Sequence, residues 1–477
     1  MSSTPTRSAS TASLDWLPYV VAATFFMEYL DTTVIATALP QMAHSFGIGP
    51  NSLSLGMTAY MLALAVFIPA SGWVADRCGS RTVFFSAVVT FTLASVLCGC
   101  AQNLLEFVAA RLLQGIGGAM MVPVGRMIVV RSTDKSRLMR ALTTITWPAI
   151  AAPVVGPPVG GFITTYASWR WIFLLNVPFG LVVLAAVVAI MPNLRGEHRR
   201  PLDLVGLLLS GAALTAVLYG AELASQAGMN PWTAGAVVAA GLVLGVIAFS
   251  HAKHHAHPLI DVATLKIPTF SVTVVTGSLT RIGIGAAPYL MPLMFQIGFG
   301  MTAFQSGLVL LASAIGNLGM KAFTTRILEG WGFRTVAIVD VAVAGISMIA
   351  CGLLAPGVPL AIVLIIVFVY GLARSMQFSL LATLAYADVP QPQMSAASTL
   401  SSASMQMTAG LGVAFGAVAL RAAANFRGEA GHAFTLADFR IAFIVSAVLT
   451  IVSIWGYVRL ARDAGQNIGG GSRRKRA

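Results

Sequence analysis

Two acids stand where acids are costly. In FFMEYLDTTVIATALP, residues 25–40, Glu28 and Asp31 interrupt an apolar run that begins at Leu17. Three residues apart, they share one face of a helix. An ionisable side chain inside a membrane span is expensive unless paired or hydrated, so both must face a wet cavity or a partner helix and not lipid. A carboxylate beside an arginine is held ionised, whereas poor solvation favours its neutral form, and an acid that moves between those settings loads and releases a proton. Arg111 is the cation suited to this: Asp31 lies about nine residues before Pro40, roughly 13 Å along a helix, and Arg111 enters its own span from the same side. The alternative is a permanent Asp31–Arg111 pair that ties two spans together. Arg281, Arg374, Gln114 and Gln377 are further polar groups expected at a cavity wall, while Arg126 is near enough to a span end to reach the membrane surface. Arg281 must face the cavity, an acid such as Glu28, or a file of water. With Arg111, Arg281 and Arg374 set against Glu28 and Asp31, the cavity would suit neutral, zwitterionic or anionic compounds better than a permanent dication.

The elements that position these groups follow from composition. Hydrophobic residues make up 57% of the chain and charged residues 9%, with a mean hydropathy of +0.83. A soluble globular domain is excluded, and the expectation is an all-α polytopic membrane protein. The net charge of +13 does not point to nucleic acid, because the basic residues punctuate apolar segments instead of forming a stripe. Cutting at Gly, Pro and charge clusters leaves fourteen spans of about 20 residues, the first over 17–39. They group as a six-helix half (17–191), an inserted pair (203–250) and a second six-helix half (270–460). A disordered tail (1–16) precedes them and a basic tail (461–477) follows; the first apolar run is too long for a signal peptide. Lys and Arg gather on one side, at Arg77 and Arg81, Arg131 to Arg140, Arg195 to Arg200, Lys253 and Lys266, Lys321 to Arg334, and in the last tail. By the positive-inside rule both termini are cytoplasmic, as an even span count requires. GWVADRCGSR (72–81) and TRILEGWGFR (325–334) match in acid, glycine and arginine at corresponding points of the two halves, which suggests an internal repeat.

In the first of these segments Gly72, Asp76, Arg77, Gly79 and Arg81 form a tight turn in which Asp76 can cap a helix end and pair with a cation that is released when the halves move. Simple topology-setting charge is the alternative. In PVVGPPVGG (153–161), Gly156, Pro157, Gly160 and Gly161 favour a kink and close helix approach, a hinge or a tight packing seam. No metal site is expected. HAKHHAHP (251–258) reads as a solvated loop without a nearby acid or Cys, and the four cysteines read as small apolar filler, with Cys98 and Cys100 the pair to watch. Glu222 and Asp340 read as interfacial groups near span ends. No phosphate-binding loop or catalytic triad occurs, so neither an enzyme nor a cofactor is expected.

LDTTVIATALP, GWVADRCGSR, RLLQGIGGAMMVP, APVVGPPVGG and WRWIFLLNVPFG occur in that order. Together they resemble the major facilitator superfamily, specifically its fourteen-span drug:proton antiporters of the EmrB/QacA type, over nearly the whole chain. Ala152 stands where the antiporter pattern usually begins with Gly. The resemblance implies the major facilitator fold of two six-helix halves plus two inserted helices (14 TM). It also implies a monomer in the bacterial inner membrane, in contact with lipid, a small-molecule substrate and protons. The segment after span two resembles a conformational latch. The function implied is proton-coupled multidrug export by alternating access, with a dedicated exporter of one metabolite or organic anion as the alternative; a passive channel would show rings of pore-lining residues. Substrate identity and any envelope partner are left open.

Overall fold

Backbone polar groups have no water to bind inside a bilayer, so apolar runs of this length close into helices. The computed structural model describes residues 16–461 and 464, apart from 134, 196–200, 227–229, 256–257, 260, 391–392 and 428–433. The two expected tails fall outside the described residues except for Trp16, Ala461 and Ala464. In chain order the long helices are α1 (Leu17–Phe46), α2 (Ser54–Cys78), α3 (Ser80–Cys100), α4 (Leu104–Ser132), α5 (Lys135–Tyr166) and α6 (Asn176–Ile190, entered through the single turn Trp171–Leu174). They continue as α7 (Leu204–Ser225), α8 (Pro231–His254), α9 (Pro268–Leu293), α10 (Ala303–Trp331), α11 (Phe333–Gly352), α12 (Leu360–Leu384), α13 (Met394–Phe426) and α14 (Leu436–Val452, extended by Ile454–Val458). Among the described residues, thirteen segments are long and apolar enough to cross a membrane. The 32-residue α5, with prolines at 148, 153, 157 and 158, is a further long helix that is not one of these thirteen.

Local chemistry sets the ends. Asn103 caps α4 through the Glu106 amide, and Thr302 with Gln305 and Thr435 with Asp438 form capping boxes on α10 and α14, each satisfying amides that a helix start leaves open. Helix α1 runs to Phe46, beyond the expected 39. Pro40 is accommodated inside it, and Gly47, at φ 67°, supplies the left-handed stop. Gly79 and Gly332 hold φ 93° and 77° in the α2–α3 and α10–α11 turns, the same point of the two matching segments, where a side chain would be strained.

The packing repeats with an offset of eight helices. In the first half α1 packs on α5, α2 on α4, and α3 on α4 and α6; in the second α9 packs on α13, α10 on α12, and α11 on α12 and α14. The halves meet where α5 lies on α10 and α13 on α2, and the hairpin of α7 and α8 leans on α13 and α2. Its outer face carries exposed apolar residues, including Leu208, Val246 and Trp232, as a lipid-facing helix pair should.

The core is unevenly shared. Toward the C-terminal end of α1, one apolar cluster contains residues of both halves, among them Val34, Met42, Phe107, Leu290, Phe295 and Leu420. Toward the opposite end it divides into a first-half cluster around Val21, Phe84 and Ile128 and a second-half cluster around Phe333, Leu380 and Tyr457. The halves are therefore joined by apolar packing at one end.

Candidate functional site

Asp31 sits halfway along α1 with its side chain 1% exposed. Arg111 of α4 donates Nη1 to Asp31 Oδ2 at 2.6 Å and to Gln114 Oε1 at 2.7 Å. Gln114 Nε2 donates to Asp31 Oδ1 at 2.8 Å, and Asn176 Nδ2, at the start of α6, reaches the same oxygen at 3.1 Å. Both amides also donate to Ser95 Oγ on α3, at 2.9 and 3.2 Å. The Arg111 guanidinium stacks 4.3 Å from the Tyr60 ring of α2. Two helices, α4 and α6, thus bond to the Asp31 carboxylate, with α2 and α3 supporting their side chains, and charge-assisted bonds of this kind are the strong ones. Arg111 Nε is left buried without a partner.

Glu28 is buried one turn away on the same helix, beside Tyr60 and Gly118, and its Oε2 has no hydrogen-bond partner. The two acids thus have different settings: Asp31 is satisfied by a cation and two amides, while one oxygen of Glu28 is not. No ion pair joins Glu28 to Arg281 among the described residues.

Arg281, Gln377 and Arg374 belong to the second half. Arg281 lies near the middle of α9, buried, with Nε unpartnered. Close by in that half, Gln377 Nε2 donates to Tyr457 Oη at 2.8 Å, Tyr457 pairs with Thr280 at 3.0 Å, and Thr280 donates to Ser453 at 2.7 Å. Gln377 Oε1 is buried without a partner. Arg374 is half-buried, its guanidinium 5.8 Å from the Phe378 ring.

The segment after α2 divides in two. Asp76 pairs with Arg131 at the end of α4, 2.9 Å away and in the same half, with both side chains over a third exposed. Gly79 forms the turn, and Arg81 reaches the Val188 carbonyl at 2.5 Å, tying the start of α3 to the end of α6. Arg77 lies 5.5 Å from the Trp73 ring. Gly72 is not in the turn: it is exposed within α2, where an added Cβ would meet open space. The expected role of this glycine in chain reversal does not hold, because the helix continues to Cys78.

On α5, Gly156 faces Thr33 of α1, and Gly160 faces the Val34 carbonyl and Thr37 Oγ1, 2.6 and 2.8 Å from where a Cβ would stand. Gly161 turns to Ala303 and Phe304 of α10, and Gly307 of α10 faces the Pro157 carbonyl. Helix α5 is a seam between α1 of its own half and α10 of the other. Gln296 adds a cross-half bond to the Thr37 carbonyl at 3.0 Å.

Three readings from sequence need correction. Glu222 is fully buried, accepting from Ser54 Oγ at 2.8 Å, because α7 leans on α2 at that level. Asp340 is buried two turns into α11 with Oδ2 unpartnered, since α11 starts at Phe333 and turns this face toward its neighbours. HAKHHAHP does have an acid nearby: His251 Nε2 lies 2.8 Å from Asp203 Oδ1, because the hairpin brings the end of α8 back to the start of α7. Sequence reasoning also missed Asn176, Ser95 and Tyr60, and took Cys98 for filler although its Sγ lies 3.5 Å from Gln114 Oε1. The one signal for Asn176 was an amide inside an otherwise apolar stretch.

Residues 21–417 match the family model of the Major Facilitator Superfamily. The chain belongs to the major facilitator superfamily. It is 34% identical over 457 residues to a Serratia proteamaculans protein named "Putative multidrug resistance protein MdtD", covering 96% of each chain. It is 35% identical over 465 residues to the protein of that name from Salmonella heidelberg, covering 97% of this chain and 98% of that one. Among solved structures it is similar to an auto-inhibited peptide transporter of the POT family, with a TM-score of 0.68 at 16% identity over 94% of this chain and 97% of the other. The chain is thus a multi-pass membrane protein of a transporter family.

Proposed function

We propose that this protein is a proton-coupled exporter of small amphipathic compounds, a multidrug antiporter of the bacterial inner membrane with both termini cytoplasmic. The arrangement at Asp31 carries the reading. The Asp31 carboxylate is bonded by Arg111, Gln114 and Asn176, partners from two other helices of the same half. Its neighbour Glu28 leaves one buried oxygen unpartnered. When the halves rock, loosening of the Arg111 bond lets Asp31 take a proton, and re-formation expels it. The names of the MdtD relatives support the substrate class.

With the N terminus cytoplasmic, the apolar cluster shared by both halves lies at the outer end, and this is the inward-facing state. Asp76–Arg131, within one half, is the latch contact that steadies α2 against α4, and the α5 glycines form the hinge. The second reading, an exporter of one organic anion, is favoured by the unpartnered Nε of Arg281. Efflux of fluorescent cationic, neutral and acidic compounds from cells expressing the protein separates the two. The multidrug reading predicts extrusion of several classes, abolished by a protonophore; extrusion of acids alone favours the second, and extrusion indifferent to the protonophore contradicts coupling.

A further inference from the structure

Where α7 starts and α8 stops, at one end of the inserted hairpin, three possible metal ligands converge. Asp203 caps α7, His251 lies in the last turn of α8, and His255 follows one turn later. One ligand atom from each lies within 4.8 Å of the others. The two imidazoles are stacked, with centroids 4.9 Å apart and planes at 24°, as i and i+4 side chains of one helix face can be. The carboxylate is oriented by the Gly206 amide on Oδ1 at 2.7 Å and the Leu259 amide on Oδ2 at 3.2 Å, the kind of outer support that fixes metal ligands. Burial pushes the Asp203 carboxyl up, but those bonds and His251 outweigh it and hold it below the usual carboxylate range.

We propose that Asp203, His251 and His255 bind a divalent transition-metal ion of the zinc class, which staples α7 to α8. Two imidazoles and a carboxylate are a donor set for such ions, with a fourth position left to water; Mg²⁺ prefers all-oxygen sites. Tetrahedral bonds of about 2.0–2.2 Å set ligand atoms about 3.4 Å apart, so His251 Nε2 and Asp203 Oδ1, 2.8 Å apart here, separate slightly while His255 moves in. His255, exposed at the cap position of α8, is the ligand free to move. On binding, the metal takes the place of the proton between His251 Nε2 and Asp203 Oδ1, and that proton is released to solvent. A plain His–Asp pair leaves the stacked His255 without a purpose. The proposal is independent of the export reading, since none of these residues belongs to the Asp31 network.

The test uses tag-free full-length protein in detergent, titrated with Zn²⁺ by calorimetry and with Co²⁺ by visible absorption, with Mg²⁺ as control. One Zn²⁺ per chain, the absorption of four-coordinate Co²⁺ and a raised Tm are expected for the wild type, with no response to Mg²⁺. His255→Ala, at an exposed position, should fold normally and weaken binding at least ~10-fold. Asp203→Asn keeps the helix cap and should do the same, and the triple variant with His251→Ala should not bind. Absence of binding by the wild type, wild-type affinity in His255→Ala, or binding retained by the triple variant through His254 and His257 would each overturn the proposal.

Discussion

Asp31 and Arg111 are both almost fully excluded from solvent, so each depends on the other. Removing one partner of a buried pair leaves an uncompensated charge and costs about 3–5 kcal/mol. Arg111→Ala should therefore lower stability by that order in thermal unfolding in detergent, and adding Asp31→Asn should recover part of the loss. If the double variant is as unstable as the sum of the singles, the pair is not the unit it is taken to be. Arg281 makes a separate prediction. If its guanidinium meets substrate, Arg281→Ala loses efflux of acidic compounds selectively and Arg281→Lys loses less, whereas equal loss across all compounds assigns it to structure. Glu28, Asp31 and Arg111 were legible in the sequence because charge inside an apolar run has few explanations. Asn176, Ser95 and Tyr60 were not, because their relevance depends on how α2, α3 and α6 are rotated against α1. No single helix encodes that rotation.

Helix boundaries and turns were legible where chemistry is local, as at the Gly79 and Gly332 turns. Pairings between helices were less so, which is why Asp76 was expected to respond to movement between halves and is found bonded inside one. That ion pair is exposed, and such pairs contribute about 0–1 kcal/mol. Asp76→Asn should thus leave Tm nearly unchanged; if the pair steadies α2 against α4 during rocking, the initial transport rate falls severalfold all the same. A large Tm drop would make it a structural bond instead. At the α5 seam the space is much tighter. Gly160→Leu must push α5 off Val34 and Thr37, so site-specific labelling from the two membrane faces should find accessibility to one face lost. Unchanged accessibility to both faces would mean that the seam is packing alone.

For the molecule as a whole, fourteen helices in two matching sets with an inserted pair were legible from spacing, charge bias and one repeated turn. The division of the core into a shared end and a split end was not, because it depends on how the helices of the two halves tilt against one another. On the proposed antiport reading, the apolar contacts around Met42, Leu290 and Leu420 part for the cavity to open on their side, and protonation at Asp31 ties the exchange to the gradient. The most direct test reconstitutes wild-type and Asp31→Asn protein into liposomes with an acidic lumen, adds an exported compound outside, and follows its uptake together with lumenal pH. The wild type should accumulate the compound while the lumen turns alkaline, and Asp31→Asn, though still exchanging labelled for unlabelled compound, should show neither accumulation nor proton release. Gradient-driven accumulation by Asp31→Asn at the wild-type level, with the same lumenal alkalinisation, would contradict proton coupling at Asp31.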